Sequence, residues 1–482
     1  MIPLTVREIA TLSHGVLSEL ADPTEYVNGP VVVDSRRVAP GCLFVAVSGA
    51  RVDGHQFAVQ AVADGARVVL ASKPVPVPAV VVTDTVRALG DLAHGYLDRL
   101  ATPAVVGITG SSGKTSTKDL VGHLLAQLGP TVAPEGSFNT EVGLPLTVLR
   151  ADADTKYLVL EYSARGLGHI AYLCGVARPR ISVVLNVGAA HLGGFGSRTV
   201  VAQAKGELVE ALPVDGLAVL NADDDAVAAM ASRTSARVVT FGRGDQADVR
   251  AVDVSLDELA RPSFCLRTAA GEVDITLALH GAHNVANALA ATAVALELGL
   301  DLASVAAALA RIDTVSRWRM QVSERADGLL VINDAYNANP ESMKAALAAL
   351  AAIGAGGDSA ALPAGAAART RRTHAVLGVM AELGETAATA HRELGAEAAL
   401  IGVHQLVVVG AAARGIADGA VDAGLDPSRV TVVDSVADAV GLVDRDLGDG
   451  DVVLVKASRS ADLQRVAEAL LATPVGAAGA TQ

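Results

Sequence analysis

The residues with the clearest chemistry lie in the segment GITGSSGKTSTK, which begins at Gly107. Gly110 and Gly113 leave room for backbone N–H groups to converge on phosphate oxygens. Lys114 brings a positive charge to the same place, and the Thr115 hydroxyl can bind Mg²⁺. An apolar run precedes the turn and a helical pattern follows it, so that the positive end of a helix dipole faces the phosphates. The segment therefore predicts a nucleoside triphosphate site.

The glycine spacing differs from that of the common phosphate loop. The pattern G-x-x-x-x-G-K-[ST] requires glycine at position 108, where this chain has Ile108. The alternative interpretation is a turn rich in glycine and serine that only resembles a phosphate loop. We favour the phosphate loop because the pattern contains both the strand before the turn and the helix after it.

Three other residues could take part in phosphoryl transfer. Glu161 ends the apolar run YLVLE. Because the carboxyl ends of parallel strands line ligand crevices, a Mg²⁺-binding carboxylate is favoured there over a helix-capping or solvent-facing one. His191 follows the run ISVVLNVG, and this position fits a ligand and an ordinary loop histidine equally. Lys205 lies in the helical segment VAQAKGEL, where the spacing alone indicates a solvated surface lysine.

The elements that could position these residues alternate along the chain. Short apolar runs typical of strands are separated by helical patterns, which predicts an α/β protein with mostly parallel sheets. A length of 482 residues is too great for a single core. We divide the chain into residues 1–102, a smaller α/β unit; 103–317, a central phosphate-loop sheet with helices on both faces; and 318–482, a Rossmann-like open sheet.

Composition excludes several classes of protein. Acidic residues outnumber basic ones by 52 to 38, and no concentrated basic face is indicated, so no nucleic acid partner is expected. Apolar residues make up 51% of the chain. Every apolar stretch is nevertheless interrupted well before the ~18 residues that span a membrane. Cys42, Cys174 and Cys265 are far apart and indicate neither a disulfide framework nor a zinc site. We expect a cytoplasmic protein without membrane insertion.

Three segments outside the proposed site have distinct local patterns. Thr5 and Glu8 have the spacing of a capping box and predict a helix that is stopped at Gly15. Residues 354–373 have the composition of a mobile surface loop. Residues 474–482 have that of a frayed tail.

Four separate segments resemble the Mur ligase family, the ATP-dependent amide ligases of peptidoglycan synthesis, together with folylpolyglutamate synthetase. That family has the shorter phosphate loop TGxxGKT, which residues 109–115 fit. The resemblance implies catalytic roles for Lys114, His191 and Lys205. It implies two Mg²⁺ ions near Thr115, Glu161, His191 and Lys205, with Lys205 carbamylated. The implied ATP-binding residues are Thr109, Gly110, Ser111, Ser112, Gly113, Lys114, Thr115, Ser116, Asn284, Asn287, Arg319 and Asp334, with His283 in the adenine-side motif.

Within the family, the chain is most similar to the ligases that add D-alanyl-D-alanine to a UDP-N-acetylmuramoyl-tripeptide through an acyl phosphate. The segments that carry this similarity are DSRRVAPGCLFVAVSGARVDGHQF, GSFNTEVGLPLTVL, AYNANPESM, LGVMAELG and LVKASR. The similarity implies that the first unit binds the UDP-sugar peptide, the second binds ATP, and the third binds the amine and closes over ATP. The implied substrate-binding residues are Asp34, Ser35, Arg36, Asn139, Thr140, Asn337 and Asn339.

Three positions depart from the family pattern. Ser137 and Thr140 replace asparagines, and Val379 stands where an aspartate is usual, which leaves their substrate contacts open. The alternatives are a family member that adds diaminopimelate or lysine, an enzyme like folylpolyglutamate synthetase, and a catalytically inactive nucleotide-binding regulator. The sequence also leaves open the third residue of the tripeptide and the oligomeric state, for which a monomer is favoured.

Overall fold

The computed structural model describes residues 2–49, 52–101, 103–188, 195–313, 316–358 and 370–472. His191 and the predicted tail at 474–482 lie outside the described residues. The described chain forms three sheets that are flanked by helices, and one two-stranded ribbon. The prediction of an α/β protein is confirmed.

The N-terminal part contains the ribbon and a five-stranded sheet. Its strands are β1 Leu4–Thr5, β2 Val16–Leu17, β3 Tyr26–Val27, β4 Val31–Val32, β5 Leu43–Val45, β6 Val68–Ala71 and β7 Ala79–Val81, and its helices are Val6–Leu12, Ala58–Ala63 and Thr85–Leu97. The sheet order is β2-β7-β6-β5-β4, with only β2 antiparallel to its neighbour. The predicted capping box of Thr5 and Glu8 is present. The first helix ends before Gly15, however, and the left-handed residue after it is His14, at φ 54°.

The central part is built on a nine-stranded sheet. Its strands are β8 Ala104–Thr109, β9 Thr131–Val132, β10 Tyr157–Glu161, β11 Ile181–Val184, β12 Leu217–Asn221, β13 Arg237–Gly242, β14 Val249–Leu256, β15 Pro262–Thr268 and β16 Gly271–Thr276. The order is β16-β15-β14-β13-β12-β11-β8-β10-β9, parallel from β9 to β14 and antiparallel for β15 and β16. The helices are Lys114–Leu125, Gly143–Val148, His169–Val176, Arg198–Glu210, Asp225–Ala228, His283–Glu297 and Leu302–Leu309. The sheet is thus mostly parallel, as predicted, but has an antiparallel extension that the sequence analysis did not include.

Helices cover both faces of the central sheet because its parallel strands are apolar on both sides. Leu158 and Leu160 of β10 pack on one side, in a core shared with helices Arg198–Glu210 and Thr85–Leu97. Val159 points to the opposite side, into a core with helices Lys114–Leu125 and His283–Glu297. The prediction of helices on both faces is therefore confirmed.

The C-terminal part contains a six-stranded sheet with the order β17-β18-β22-β19-β20-β21. These strands are β17 Gln321–Glu324, β18 Leu330–Asn333, β19 Thr373–Leu377, β20 Gln405–Val409, β21 Val430–Val433 and β22 Val452–Lys456, and the helices are Pro340–Ala355, Ala387–Leu400, Arg414–Asp422, Val436–Asp446 and Gln464–Ala472. Only the edge strand β17 is antiparallel. Strands β21-β20-β19-β22 follow the 3-2-1-4 order of a Rossmann half-sheet.

The segment predicted as a mobile loop, 354–373, is partly regular structure. Its first residues close helix Pro340–Ala355, and its last residue, Thr373, begins β19. Arg371 donates to the carbonyls of Gly328 and Gly450, so this end is tied to two neighbouring turns. The prediction for residues 359–369 concerns a stretch outside the described residues. Within the described part of the chain, no helix has the length and apolar character needed to cross a membrane.

Candidate active site

The predicted phosphate loop connects β8 to helix Lys114–Leu125. Gly113 precedes the helix at φ 80°, a conformation that favours glycine. A Cβ on Gly113 would lie 2.6 Å from Asn287 Oδ1, so a side chain at position 113 would force Asn287 to shift. Beside it, Ser111 Oγ accepts from the Gly188 N–H at 2.8 Å, and the Ser112 N–H donates to Asn186 Oδ1 at 2.9 Å. The loop is therefore held in shape by the segment that follows β11.

Lys114 folds back over its own loop. Its Nζ donates to the Gly110 carbonyl at 2.5 Å. Burial lowers the pKa of Lys114 to about 8; the Glu161 carboxylate opposes that shift, and the Arg319 cation adds to it. Lys114 is thus held in place before any phosphate binds.

Glu161 is a buried carboxylate at the carboxyl end of β10, as predicted. It is 0% exposed, and its Oε2 accepts from Asn139 Nδ2 at 3.2 Å. Among the described residues its Oε1 has no hydrogen-bond partner. A buried carboxylate oxygen without a donor is costly, and a hard cation such as Mg²⁺ prefers oxygen ligands of this kind. The Thr115 hydroxyl lines the same cavity as Glu161.

Lys205 is a buried lysine, and its interpretation as a solvated surface group is wrong. It is 6% exposed on helix Arg198–Glu210. Burial lowers its pKa well below the ordinary value, and the Lys114 cation lowers it further, while Glu341 acts in the opposite direction. Tertiary packing of the helix on β8 and β11, which the local spacing does not report, is the reason for this difference. Lys205 is absent from the described lining of the main cavity.

The main cavity, of about 770 Å³, lies between the central and C-terminal sheets. Phosphate-loop residues Ser111, Ser112, Gly113, Lys114, Thr115 and Ser116 line it, together with Asn139, Thr140, Glu161, Asn284, Asn287, Arg319, Asp334, Asn337 and Asn339. Most of the predicted site residues therefore converge on one space. Thr109 and Gly110, also predicted to bind ATP, are not among the described lining residues. The buried Thr109 hydroxyl instead donates to the Tyr162 carbonyl at 2.8 Å.

Asn284 and Asn287 join the predicted adenine side to the phosphate-loop helix. Asn284 Nδ2 donates to the His280 carbonyl at 2.8 Å, and Asn287 Nδ2 donates to Asn284 Oδ1 at 2.9 Å. Thr117 Oγ1 donates to Asn287 Oδ1 at 3.2 Å. The two amides thus fix helix His283–Glu297 against helix Lys114–Leu125.

Arg319 and Tyr336 bring the C-terminal part onto the phosphate loop. Arg319 Nη2 donates to Thr115 Oγ1 at 2.8 Å, and its guanidinium lies 4.3 Å from the centre of the Tyr336 ring. The Tyr336 hydroxyl is 2.6 Å from Ser137 Oγ. Ser137, one of the three departures from the family pattern, therefore has a partner on the opposite side of the cavity.

Asp334 is fixed by a lysine that the sequence analysis did not single out. Lys456 is 2% exposed, and its Nζ lies 2.6 Å from Asp334 Oδ2. Asp334 Oδ1 accepts from the Met320 N–H at 3.0 Å. A lysine at the end of the apolar strand DVVLVK is a sequence signal that could have revealed this pair, because β18 and β22 are neighbours.

Two of the predicted substrate residues have side chains that bond to the protein itself. Asn339 begins helix Pro340–Ala355 in a capping box with Ser342, and its Nδ2 also donates to the Ser111 carbonyl at 3.2 Å. Asn337 Oδ1 accepts from the Ala338 N–H at 2.9 Å. Val379, another departure, packs against the core of the C-terminal sheet and is not among the described residues that line the cavity.

The structure does not bring Asp34, Ser35 and Arg36 to this cavity. They form a short turn after β4, in which Arg36 Nη2 lies 2.7 Å from Asp34 Oδ2. Hydrogen bonds from the Arg36 side chain and backbone lower the pKa of Asp34 to about 2. The Arg36 side chain is 87% exposed, so the turn offers a charged surface away from the phosphate loop.

Family models match most of the chain. They are the Mur ligase family catalytic domain at residues 30–96, the Mur ligase middle domain at 108–295, and the Mur ligase glutamate ligase domain at 318–459.

Individual relatives extend this match from end to end. A UDP-N-acetylmuramoyl-tripeptide–D-alanyl-D-alanine ligase of Mycobacterium tuberculosis is 49% identical over 98% of both chains. The Escherichia coli ligase of the same name is 39% identical over 72% of this chain and 76% of its own. Among solved structures, MurF from Acinetobacter baumannii has a TM-score of 0.85 at 29% identity, covering 98% of this chain and 99% of that one. MurF from Thermotoga maritima in complex with ADP has a TM-score of 0.77 at 30% identity, covering 92% and 97%. With relatives this similar along its whole length and family models over all three sheets, the chain belongs to the Mur ligase family.

Proposed function

We propose that this protein is an ATP-dependent amide ligase that adds D-alanyl-D-alanine to UDP-N-acetylmuramoyl-tripeptide in cytoplasmic peptidoglycan precursor synthesis. The supporting observation is that Lys114, Thr115 and Glu161 meet at one cavity in a chain 49% identical to ligases of that name. The proposed division of labour is UDP-sugar peptide binding by residues 1–102, ATP binding by 103–317, and amine binding with closure over ATP by 318–482.

The proposed reaction has two steps. The terminal carboxylate of the tripeptide attacks the γ-phosphorus of ATP, which forms an acyl phosphate and releases ADP. The amine of D-alanyl-D-alanine then attacks the acyl carbon, inorganic phosphate leaves, and the amine loses a proton as the amide bond forms. Both steps need reactants that are held close together in a space from which water is excluded.

The phosphate loop and Arg319 stabilise the charge that moves during phosphoryl transfer. Backbone N–H groups of the loop and the positive end of helix Lys114–Leu125 face the phosphates, and Lys114 and Arg319 add cationic groups. Because these groups are oriented by the bonds to Gly110 and Thr115, little reorganisation is needed when charge develops. Asn284, Asn287 and Asp334 are proposed to bind the nucleoside part.

The donor set fits Mg²⁺, which Thr115 and Glu161 would hold, with His191 as a further proposed ligand. When bound, such an ion neutralises phosphate charge and polarises the group being transferred. Lys205 is proposed to act as its carbamate. Its lowered pKa favours the neutral amine, which is the form that reacts with carbon dioxide. The carbamate that results would be a carboxylate-like oxygen ligand suited to a second Mg²⁺.

The direct test is phosphate release by the purified protein with each substrate omitted in turn. We expect release to require ATP, UDP-N-acetylmuramoyl-tripeptide and D-alanyl-D-alanine together, with the amide product identified by mass spectrometry. Phosphate release that is independent of the dipeptide would contradict the proposed acceptor, and the absence of release with any amine would favour a nucleotide-binding regulator.

A further inference from the structure

Lys118 is a buried lysine that the proposed reaction does not use. It lies one helical turn after Lys114 and is 1% exposed. Its Nζ donates to the Pro134 carbonyl at 2.6 Å and to the Gly136 carbonyl at 3.2 Å, and lies 2.5 Å from Asp119 Oδ1. These partners match the three N–H groups of an ammonium, so that Lys118 has no donor left for a ligand. Its function must therefore depend on what it holds.

The two carbonyls that Lys118 binds belong to the segment just before Ser137. Ser137 contacts Tyr336 of the C-terminal part, and Asn139, two residues further on, donates to Glu161. Lys118 thus fixes the start of a segment that lines the cavity and connects the two sheets.

Asp119 holds a second segment, which leads along the chain from the central part to the C-terminal part. Its Oδ2 accepts from the Ser316 N–H at 2.9 Å and from the Ser316 hydroxyl at 2.8 Å. Ser316 lies three residues before Arg319, which contacts Thr115. Trp318 and Met320, on either side of Arg319, have φ values of 58° and 47°. Non-glycine residues in this region are strained and persist only where surrounding contacts hold them.

We propose that Lys118 and Asp119 are positioning residues that join two segments to the phosphate-loop helix. Lys118 orients the segment 134–140, and Asp119 orients the connection 316–320. Through the Ser137–Tyr336 and Arg319–Thr115 contacts, the pair sets how the C-terminal part sits over the phosphate loop. For its kinetic consequences this inference rests on the proposed ligase function, whereas its structural consequences do not.

The first experiment measures kinetics of Lys118→Met and Asp119→Asn, with Lys156→Met, an exposed lysine before β10, as the matched control. In Lys118→Met we expect the KM for the UDP-sugar tripeptide to rise about tenfold while ADP binding stays close to that of the wild type, because the misplaced segment lines the substrate cavity.

In a double-mutant cycle with Tyr336→Phe, the double variant should lose no more kcat/KM than the worse single variant, since both changes break one chain of contacts. The proposal would be overturned if the losses in kcat/KM of the two single variants multiplied in the double variant. It would also be overturned if Lys118→Met kept the wild-type KM for the UDP-sugar tripeptide.

The second experiment uses Trp318, the single tryptophan of the chain, as a reporter of the connection 316–320. Asp119→Asn should shift Trp318 emission to longer wavelength and increase its quenching by acrylamide in the protein without ligands, whereas Lys156→Met should not. Unchanged Trp318 fluorescence in Asp119→Asn would contradict the role of Asp119, even if the wild type proved to have another activity. If Lys118→Met does not fold, Asp119→Asn decides the proposal by the same KM and fluorescence readouts.

Discussion

At the scale of single residues, Lys114 is already bonded to the Gly110 carbonyl and surrounded by Glu161 and Arg319. In the proposed reaction the charge of Lys114 acts on the phosphates, and a lysine ammonium adds little to the packing of an apolar core. We predict that Lys114→Ala lowers kcat by a factor of about 10²–10³ or more, while the thermal midpoint stays near that of the wild type. Phosphate release and a melting curve measure the two effects. Lys344→Ala, an exposed lysine on helix Pro340–Ala355, is the control, and wild-type turnover in Lys114→Ala would refute the phosphate-loop assignment.

Lys205 gives a second prediction at this scale, based on its proposed carbamate. Lys205→Ala should be nearly inactive, and small carboxylic acids such as acetate should restore part of the activity because they can occupy the space vacated by the side chain. Wild-type and variant turnover are compared with and without added acid. Full activity of Lys205→Ala in bicarbonate-free buffer would mean that the buried lysine has only a packing role.

At the scale of elements, the proposed UDP-sugar site lies on the turn after β4, apart from the cavity proposed to bind ATP. Asp34 and Arg36 form an ion pair on this exposed turn. Neither is among the described residues that line the cavity. We predict that Arg36→Ala raises the KM for the UDP-sugar tripeptide and leaves the KM for ATP nearly unchanged. Arg37→Ala, on the same turn, is the control. An equal rise in both KM values would indicate misfolding or a wrong assignment of this turn.

A buried carboxylate stabilises the end of the C-terminal sheet away from the cavity. Asp451 precedes β22 and accepts from Arg372 Nη2 at 2.7 Å, His374 Nε2 at 3.0 Å and the Gly448 N–H at 2.8 Å. Burial alone would raise the pKa of Asp451, but these bonds outweigh it and the pKa is lowered.

We therefore predict that Asp451→Asn reduces the free energy of unfolding by about 2 kcal/mol at neutral pH, a modest value because Arg372 is half-exposed. A carboxyl whose pKa is lowered in the folded state stabilises the protein above its unfolded pKa, and this contribution is lost as the pH falls through the folded value. The difference between wild type and variant in urea unfolding should accordingly be complete above about pH 4 and shrink below it. A difference that is constant down to pH 3 would contradict the ionic origin of the effect.

At the scale of the whole molecule, three contacts already join the central and C-terminal parts across the cavity: Arg319 to Thr115, Ser137 to Tyr336, and Asn339 to Ser111. In the proposed reaction, these contacts would hold the amine site of the C-terminal part beside the phosphates bound by the central part. In such a site a dipeptide acceptor must have its amide and its distant carboxylate hydrogen-bonded.

The resulting prediction concerns acceptor choice. Amines that lack the second residue leave buried polar groups unpaired, at a cost of roughly 1–3 kcal/mol each. Free D-alanine, L-lysine, diaminopimelate and glutamate should therefore be poor acceptors compared with D-alanyl-D-alanine. Amide product is measured by mass spectrometry with every amine at the same concentration. Faster turnover with diaminopimelate or glutamate would overturn the proposed acceptor and leave the ligase chemistry intact.

Features that depend only on neighbouring residues could be predicted from the sequence. The strand–turn–helix around Gly113 and Lys114, the capping box at Thr5 and the carboxyl-end position of Glu161 follow from local spacing, because backbone conformation and helix capping involve only a few consecutive residues. The alternation of strands and helices likewise predicted mostly parallel sheets in three units.

Which polar residues are buried, and which partners they bind, depends on tertiary packing and could not be predicted from local patterns. Lys205 has the local pattern of a surface lysine but is buried. Lys456 pairs with Asp334, which lies 122 positions away in the chain. Lys118 binds the carbonyls of residues 16 and 18 positions away. The antiparallel strands β15 and β16 similarly depend on pairing beyond the central parallel strands. Burial and ion pairing are properties of chain segments brought together by packing, and local spacing carries no information about the distant partner.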